Sequence, residues 1–319
     1  MTPVAGALGD DAARRASRRT TAAVAVGALA LGLAACGLGE PIPPSPTLDP
    51  PVMTNTGTPQ ADDGLAQQRV ARAVRRVEQA GSGRLTVRAP LEQGASLDAD
   101  LRYRLDPPAS EGLVSTEVAG DTAQLDVRTI GDRAWLRADV VLDGEAGATP
   151  CWIDYTPVAD DPALGASMLA PPVGVPPALV ALLSATGERS LTARRVAGTV
   201  DLVPVLQALN SSLVGLFGLD RTAAGRVPAS FLFATDGALT GYTVQLARVP
   251  DAVRDAGGDG DAAERLMAAV IGQLTVLVDE LGSVVAVDPP PADEVVVLSD
   301  LADLPTVMDA CGQQDPVGA

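Results

Sequence analysis

Residues 124–137 read Gln124-Leu125-Asp126-Val127-Arg128-Thr129-Ile130-Gly131-Asp132-Arg133-Ala134-Trp135-Leu136-Arg137. Ala123, Leu125 and Val127 alternate with Gln124, Asp126 and Arg128. A period of two places alternate side chains on opposite faces, so the stretch predicts a strand with one wet face, as in an antiparallel sheet. Gly131-Asp132 stands where a hairpin turn should fall, and Ala134 to Arg137 carry the chain back. Trp152-Ile153-Asp154-Tyr155 continues the meander. Both tryptophans read as core anchors rather than ligand platforms.

The same period extends upstream. Leu97, Ala99, Leu101, Tyr103 and Leu105 alternate with Asp98, Asp100, Arg102, Arg104 and Asp106; Leu85, Val87 and Ala89 alternate with Arg84, Thr86 and Arg88. Gly120-Asp121 reads as a further turn. Before these strands the period becomes helical. From about Leu65, Val70, Val74 and Val77 recur with Arg69, Arg72, Arg75, Arg76 and Glu78 among them, and Gly81 closes the run as a helix-ending glycine.

Downstream, Leu164 to Thr186 is apolar and broken by Pro171, Pro172, Pro176 and Pro177, with a short helix expected over Pro177 to Ala185. A strand is expected near Leu191 to Val200. Asp201 to Leu219 then carries Leu202, Val203, Val205, Leu206, Leu209, Leu213, Val214, Leu216, Phe217 and Leu219, too apolar on every side for a surface helix. Val227 to Ala234 and Leu239 to Leu246 predict a hairpin through Asp236-Gly237. Pro250 to about Asp261 reads as a polar loop and Ala262 to Ile271 as a short helix. Leu274 to Leu281 and Val284 to Val287 read as a last hairpin through Gly282. Pro289-Pro290-Pro291 interrupts the chain, and Asp300 to Ala310 reads as a closing helix or turn. No internal repeat occurs, and sheet, helices and sheet again predict one α+β domain over residues 65–312, with residues 313–319 a disordered tail.

The N-terminus is an address. Arg14, Arg15, Arg18 and Arg19 precede an uncharged run, Thr20 to Ala35, of the length of a signal-peptide core and short for a membrane span. It ends Leu33-Ala34-Ala35-Cys36-Gly37, which resembles the bacterial lipobox. That resemblance implies a diacylglycerol on Cys36 and removal of residues 1–35. Two acyl chains anchor a protein stably where one is marginal. Ser17-Arg18-Arg19 resembles a twin-arginine export signal, but Thr21 and Ala22 stand where bulky apolar residues are usual, so the export route is left open. Residues 36–64, with Pro41, Pro43, Pro44, Pro46, Pro50, Pro51 and Pro59, read as a stiff tether.

Composition restricts the chemistry. All 23 basic residues are Arg, with no His and no Lys. A Ser-His-Asp triad, His-ligated metal and the lysine of a phosphate-binding loop are therefore excluded. The net charge is −17; residues 1–35 hold four Arg and two Asp, leaving 19 Arg against 38 acids, or −19. Such a body is repelled by nucleic acid and by anionic membrane surfaces, so no nucleic-acid partner is expected and the lipid anchor is needed. Asp160-Asp161 reads as a solvated turn. Gly257-Gly258-Asp259-Gly260-Asp261 with Glu264 lacks the ladder of a calcium loop. No cofactor and no catalysis are expected. Cys151 and Cys311 are an even pair in an exported body, which favours a disulfide over two separate thiols.

Several of these stretches together resemble the LppX/LprG-type lipoproteins of the actinobacterial envelope, which share a LolA-like fold. They are the helix leading through Ala80-Gly81-Ser82-Gly83-Arg84-Leu85-Thr86-Val87, the strand pair quoted above and the mid-chain apolar insert. Val227-Pro228-Ala229-Ser230-Phe231 before the Asp236-Gly237 hairpin and the closing Val287-Asp288-Pro289-Pro290 complete the set. The similarity spans most of Leu65 to Leu304. The chain departs from it at Leu169 to Pro177, at Pro250 to Asp261 and in its cysteine pair. The resemblance implies a strongly curved antiparallel β half-barrel with helices across its concave face, enclosing an apolar cavity for acyl chains. On that basis a lipid or glycolipid ligand is expected, in a protein on the outer face of the cell membrane. Leu182, Leu206, Leu209, Leu213 and Phe217 would line the cavity, and Leu169 to Pro177 would form its lid. The other expectation is a non-enzymatic binding, sensing or structural lipoprotein with a filled core.

Overall fold

The computed structural model describes residues 62–90, 96–118, 121–142, 145–148, 151–159, 174–268 and 272–313. The signal segment, Cys36, nearly all of the tether, Asp160-Asp161, residues 169–173 of the expected lid and the tail after Gln313 lie outside them.

Helix α1 (Asp62–Ala80) begins inside the expected tether. Ala66, Val70, Ala73, Val74 and Val77 are buried in one stripe, while Arg72, Arg75 and Arg76 are exposed. Gly81 ends it with φ +68°, a left-handed conformation that glycine adopts without a Cβ penalty, and its N–H donates to Val77 O at 3.2 Å.

Five strands follow as a meander: β1 (Ser82–Pro90), β2 (Ser96–Leu105), β3 (Pro108–Val118), β4 (Asp121–Ile130) and β5 (Arg133–Leu142). Short β6 (Glu145–Ala148) pairs with β5, and so does β7 (Trp152–Asp154). The register sets Val127 against Leu136 and Leu125 against Ala138, which puts the apolar row of the quoted stretch on the inner face. Arg128, Trp135 and Arg137 lie on the outer face. There the Arg128 and Arg137 guanidiniums sit 4.5 and 4.9 Å from the Trp152 ring centroid, and Arg133 sits 4.6 Å from that of Trp135.

The second half contributes α2 (Pro177–Leu183), β8 (Thr186–Thr192), β9 (Arg195–Asp201), α3 (Leu202–Leu209) and α4 (Ser212–Leu216). Strands β10 (Arg226–Phe233) and β11 (Leu239–Gln245) follow as the expected Asp236-Gly237 hairpin. Next come α5 (Val249–Asp255), α6 (Gly260–Met267), β12 (Gln273–Asp279), β13 (Val295–Val297) and α7 (Leu304–Gln313). Strand β12 lies against β1, pairing Val278 with Leu85 and Val276 with Val87, so the two halves form one sheet. The order is β13-β7-β5-β4-β3-β2-β1-β12-β11-β10-β9-β8, antiparallel except for the parallel β13–β7 pair. The sheet is curved and unclosed, with β8 and β13 at its ends. Helices α1 to α6 share one buried cluster with the inner-face residues. The class is α+β.

Four sequence expectations need correction. The single strand near Leu191 to Val200 is a hairpin, because β8 is an edge strand exposed at every position except Gly187 and has no amphipathic signature. The apolar run from Asp201 is two helices, broken at Asn210, where Oδ1 accepts from Ser212 N at 2.9 Å. The polar loop from Pro250 contains α5, whose Val249, Pro250, Ala252 and Val253 are buried. Val284 to Val287 is not a strand. It straps the outer face, burying Val285 and Val287 against Ala109, while Arg104 Nη1 donates to Val285 O at 3.4 Å.

A separate cluster holds α7. Cys151 and Cys311 are joined as a disulfide with a Cα–Cα distance of 5.3 Å, and they pack with Ile153, Tyr155, Leu298 and Val307.

Candidate ligand-binding cleft

One side of α1 is not covered by the sheet. Between it, the β10–β11 turn and the turn after β12 runs an open cleft with a volume of about 420 Å³. Its apolar wall is Leu65, Ala73, Val77, Ala238, Leu239 and Leu281. Leu65 and Leu281 are 61% and 40% exposed, so both present apolar surface at the rim of the groove.

The charged wall is Arg69, Arg72 and Arg76, facing Asp236. Spacings of three and four residues stack these arginines along one helix face. Arg69 is fixed by packing, its guanidinium 4.0 Å from the Phe233 ring centroid. Asp236 serves its own turn, with Oδ1 accepting from Ala238 N at 3.0 Å, and Gly237 has φ +81°. Among the described residues Arg72 and Arg76 form no ion pair or hydrogen bond.

The residues expected to line an apolar cavity lie elsewhere. Leu182 on α2, Leu206 on α3, Leu213 on α4 and Phe217 are buried together in the main core, and Leu209 is partly buried against them. None of the five lines the cleft. Of the expected lid, Gly174 O accepts from Thr129 Oγ1 at 3.2 Å, and Pro177 opens α2. Asp259 acts as a helix cap, its Oδ1 accepting from Ala262 N at 2.9 Å. Among the described residues no group of three His, Cys, Asp or Glu side chains is placed to hold a metal ion.

The cleft arginines were visible in the sequence only as the wet face of the first helix. The available signal was local: residues 69–78 hold four Arg and one Glu inside an otherwise strongly acidic body. The sequence matches no family model, and no curated protein matches it.

Proposed function

We propose that this chain is an exported envelope lipoprotein of the LppX/LprG type, held at the outer face of a membrane through Cys36. It binds the acyl portion of a lipid without making or breaking bonds. The observation that supports this reading is the cleft beside α1, whose volume of about 420 Å³ falls in the range of ordinary ligand pockets, roughly 300–1,000 Å³. Its exposed leucines offer apolar surface to a chain, and affinity would grow by about 25 cal/mol per Å² removed from water, before the cost of association. With no His or Lys in the chain, the commonest acid–base and nucleophilic machinery is missing.

A second reading is favoured by a different observation. The five expected lining residues are packed in the main core, which suits a solid envelope module that binds a protein partner. Uptake of a fluorescent acyl probe by the soluble body separates the two. Binding that is lost on Leu281→Asp with the melting temperature unchanged supports the lipid reading, since Leu281 is an exposed cleft residue, and no uptake supports the solid module. For the anchor, mass spectrometry of the membrane-bound protein should find Cys36 as the first residue and carrying a diacylglycerol; an unmodified Cys36 would remove that part of the proposal.

A further inference from the structure

We infer that the α1 cleft is selective for an anionic amphiphile, with Arg69, Arg72 and Arg76 holding a phosphate- or carboxylate-bearing head group while Leu65 and Leu281 take the start of its chain. The inference rests on the cleft's being the lipid site.

Three observations carry it. First, like charges three and four residues apart on a helix repel, and an exposed stack of this kind is ordinarily relieved by neighbouring acids. The remainder of the chain beyond residue 35 has 38 acids against 19 Arg, yet among the described residues that line the cleft Asp236 is the one acid against three Arg. Second, the Arg69 guanidinium is held over Phe233, so part of the cationic wall is ordered before any ligand arrives. Guanidinium forks match the paired oxygens of phosphates and carboxylates. Third, the cations and the exposed leucines line one cleft, so charge and apolar surface are presented side by side. An anion without a chain would use only half of this site, and a neutral lipid only the other half. The acidic surface elsewhere would repel the same ligand, which confines binding to this face.

The test is titration calorimetry on the folded body, below micelle concentrations, with three probes: dodecyl phosphate, dodecylphosphocholine and inorganic phosphate. Dodecyl phosphate should bind at least about tenfold tighter than dodecylphosphocholine, with a preference that shrinks as salt rises, and inorganic phosphate alone should not bind detectably. Arg72→Gln and Arg76→Gln should each weaken dodecyl phosphate by about tenfold, the scale of one charge-assisted contact, with an unchanged melting temperature. Arg75→Gln removes the same charge from the same helix outside the cleft and should leave affinity unchanged. Equal binding of the two amphiphiles would overturn the anionic selectivity while leaving the lipid reading intact. An Arg75→Gln effect as large as that of Arg72→Gln would overturn the assignment to the cleft. Binding of inorganic phosphate as tightly as dodecyl phosphate would assign the site to the free anion and overturn the amphiphile. Failure of both amphiphiles to bind would overturn this inference and the lipid reading together.

Discussion

Gly187 shows how one missing side chain places the first helix. A Cβ there would lie 2.5 Å from Ala66 O and 2.8 Å from Val70 Cγ2, so α1 can seat on β8 only over a glycine. Gly187→Ala must push α1, which carries one wall of the cleft, away from β8. Overpacking of this kind costs about 1–3 kcal/mol. The expected result is a lower midpoint in chemical denaturation, with weaker ligand binding as α1 shifts. The tyrosines give a second test at this scale. All three in the chain, Tyr103, Tyr155 and Tyr242, are buried. Burial pushes the Tyr103 phenol up to about 12, and it raises Tyr155 and Tyr242 further above the ordinary value. The Tyr242 hydroxyl donates to Ala178 O at 2.8 Å, fastening α2 to β11. A raised folded pKa favours the native state fully below the unfolded value of about 10, and that contribution is lost as pH rises through the folded value. Tyrosinate absorbance should therefore stay low between about pH 10 and about 12 while the protein remains folded, then appear together with unfolding. An early, non-cooperative phenol titration near pH 10 would contradict this burial.

At the scale of elements, legibility followed period and exposure. Helix α1 and strands β1, β2, β4 and β10 could be read because each buries one face and wets more of the other, whereas β11, buried from Gly241 to Val244, was legible from its Asp236-Gly237 turn. Strand β3 was missed: Gly112 interrupts its pattern where a Cβ would sit 2.0 Å from Asp100 O, and Leu113 faces outward. Strand β8 was missed because its one buried position is a glycine, so it has no apolar alternation to read. Helix α5 was missed because Asp251 and Asp255 disguised the buried pair Ala252 and Val253. Val284 to Val287 was misread as a strand because β-branched residues suit strands, whereas this segment uses Val285 and Val287 to cover Ala109. The cleft itself was hidden for a related reason: arginines on a wet helix face look like solvation until the fold brings Leu239 and Leu281 beside them. The cysteine pair was legible from its number alone. It ties α7 to the start of β7 across a separation of 160 residues, and losing such a link costs about 2–5 kcal/mol. Reduction should lower the denaturation midpoint and expose the α7 end to proteolysis first, because that cluster is separate from the main core. Unchanged stability on reduction would contradict a structural role.

For the whole molecule, net charge and local charge point in different directions. A body at −19 is repelled by an anionic surface, and that makes the lipid on Cys36 the expected means of attachment. Yet the arginines of α1 line one cleft together with the exposed Leu65 of the same helix and Leu281 from the turn after β12. The curved, unclosed sheet serves as a scaffold whose inner-face residues share one buried cluster with helices α1 to α6, and under the proposed function the ligand would be taken at the margin of α1. Native mass spectrometry of the protein purified without detergent from its own host tests this most directly. The expected result is a bound acidic lipid that Arg72→Gln with Arg76→Gln removes while the fold is kept. Protein free of lipid, with no uptake of an acyl probe, would contradict it.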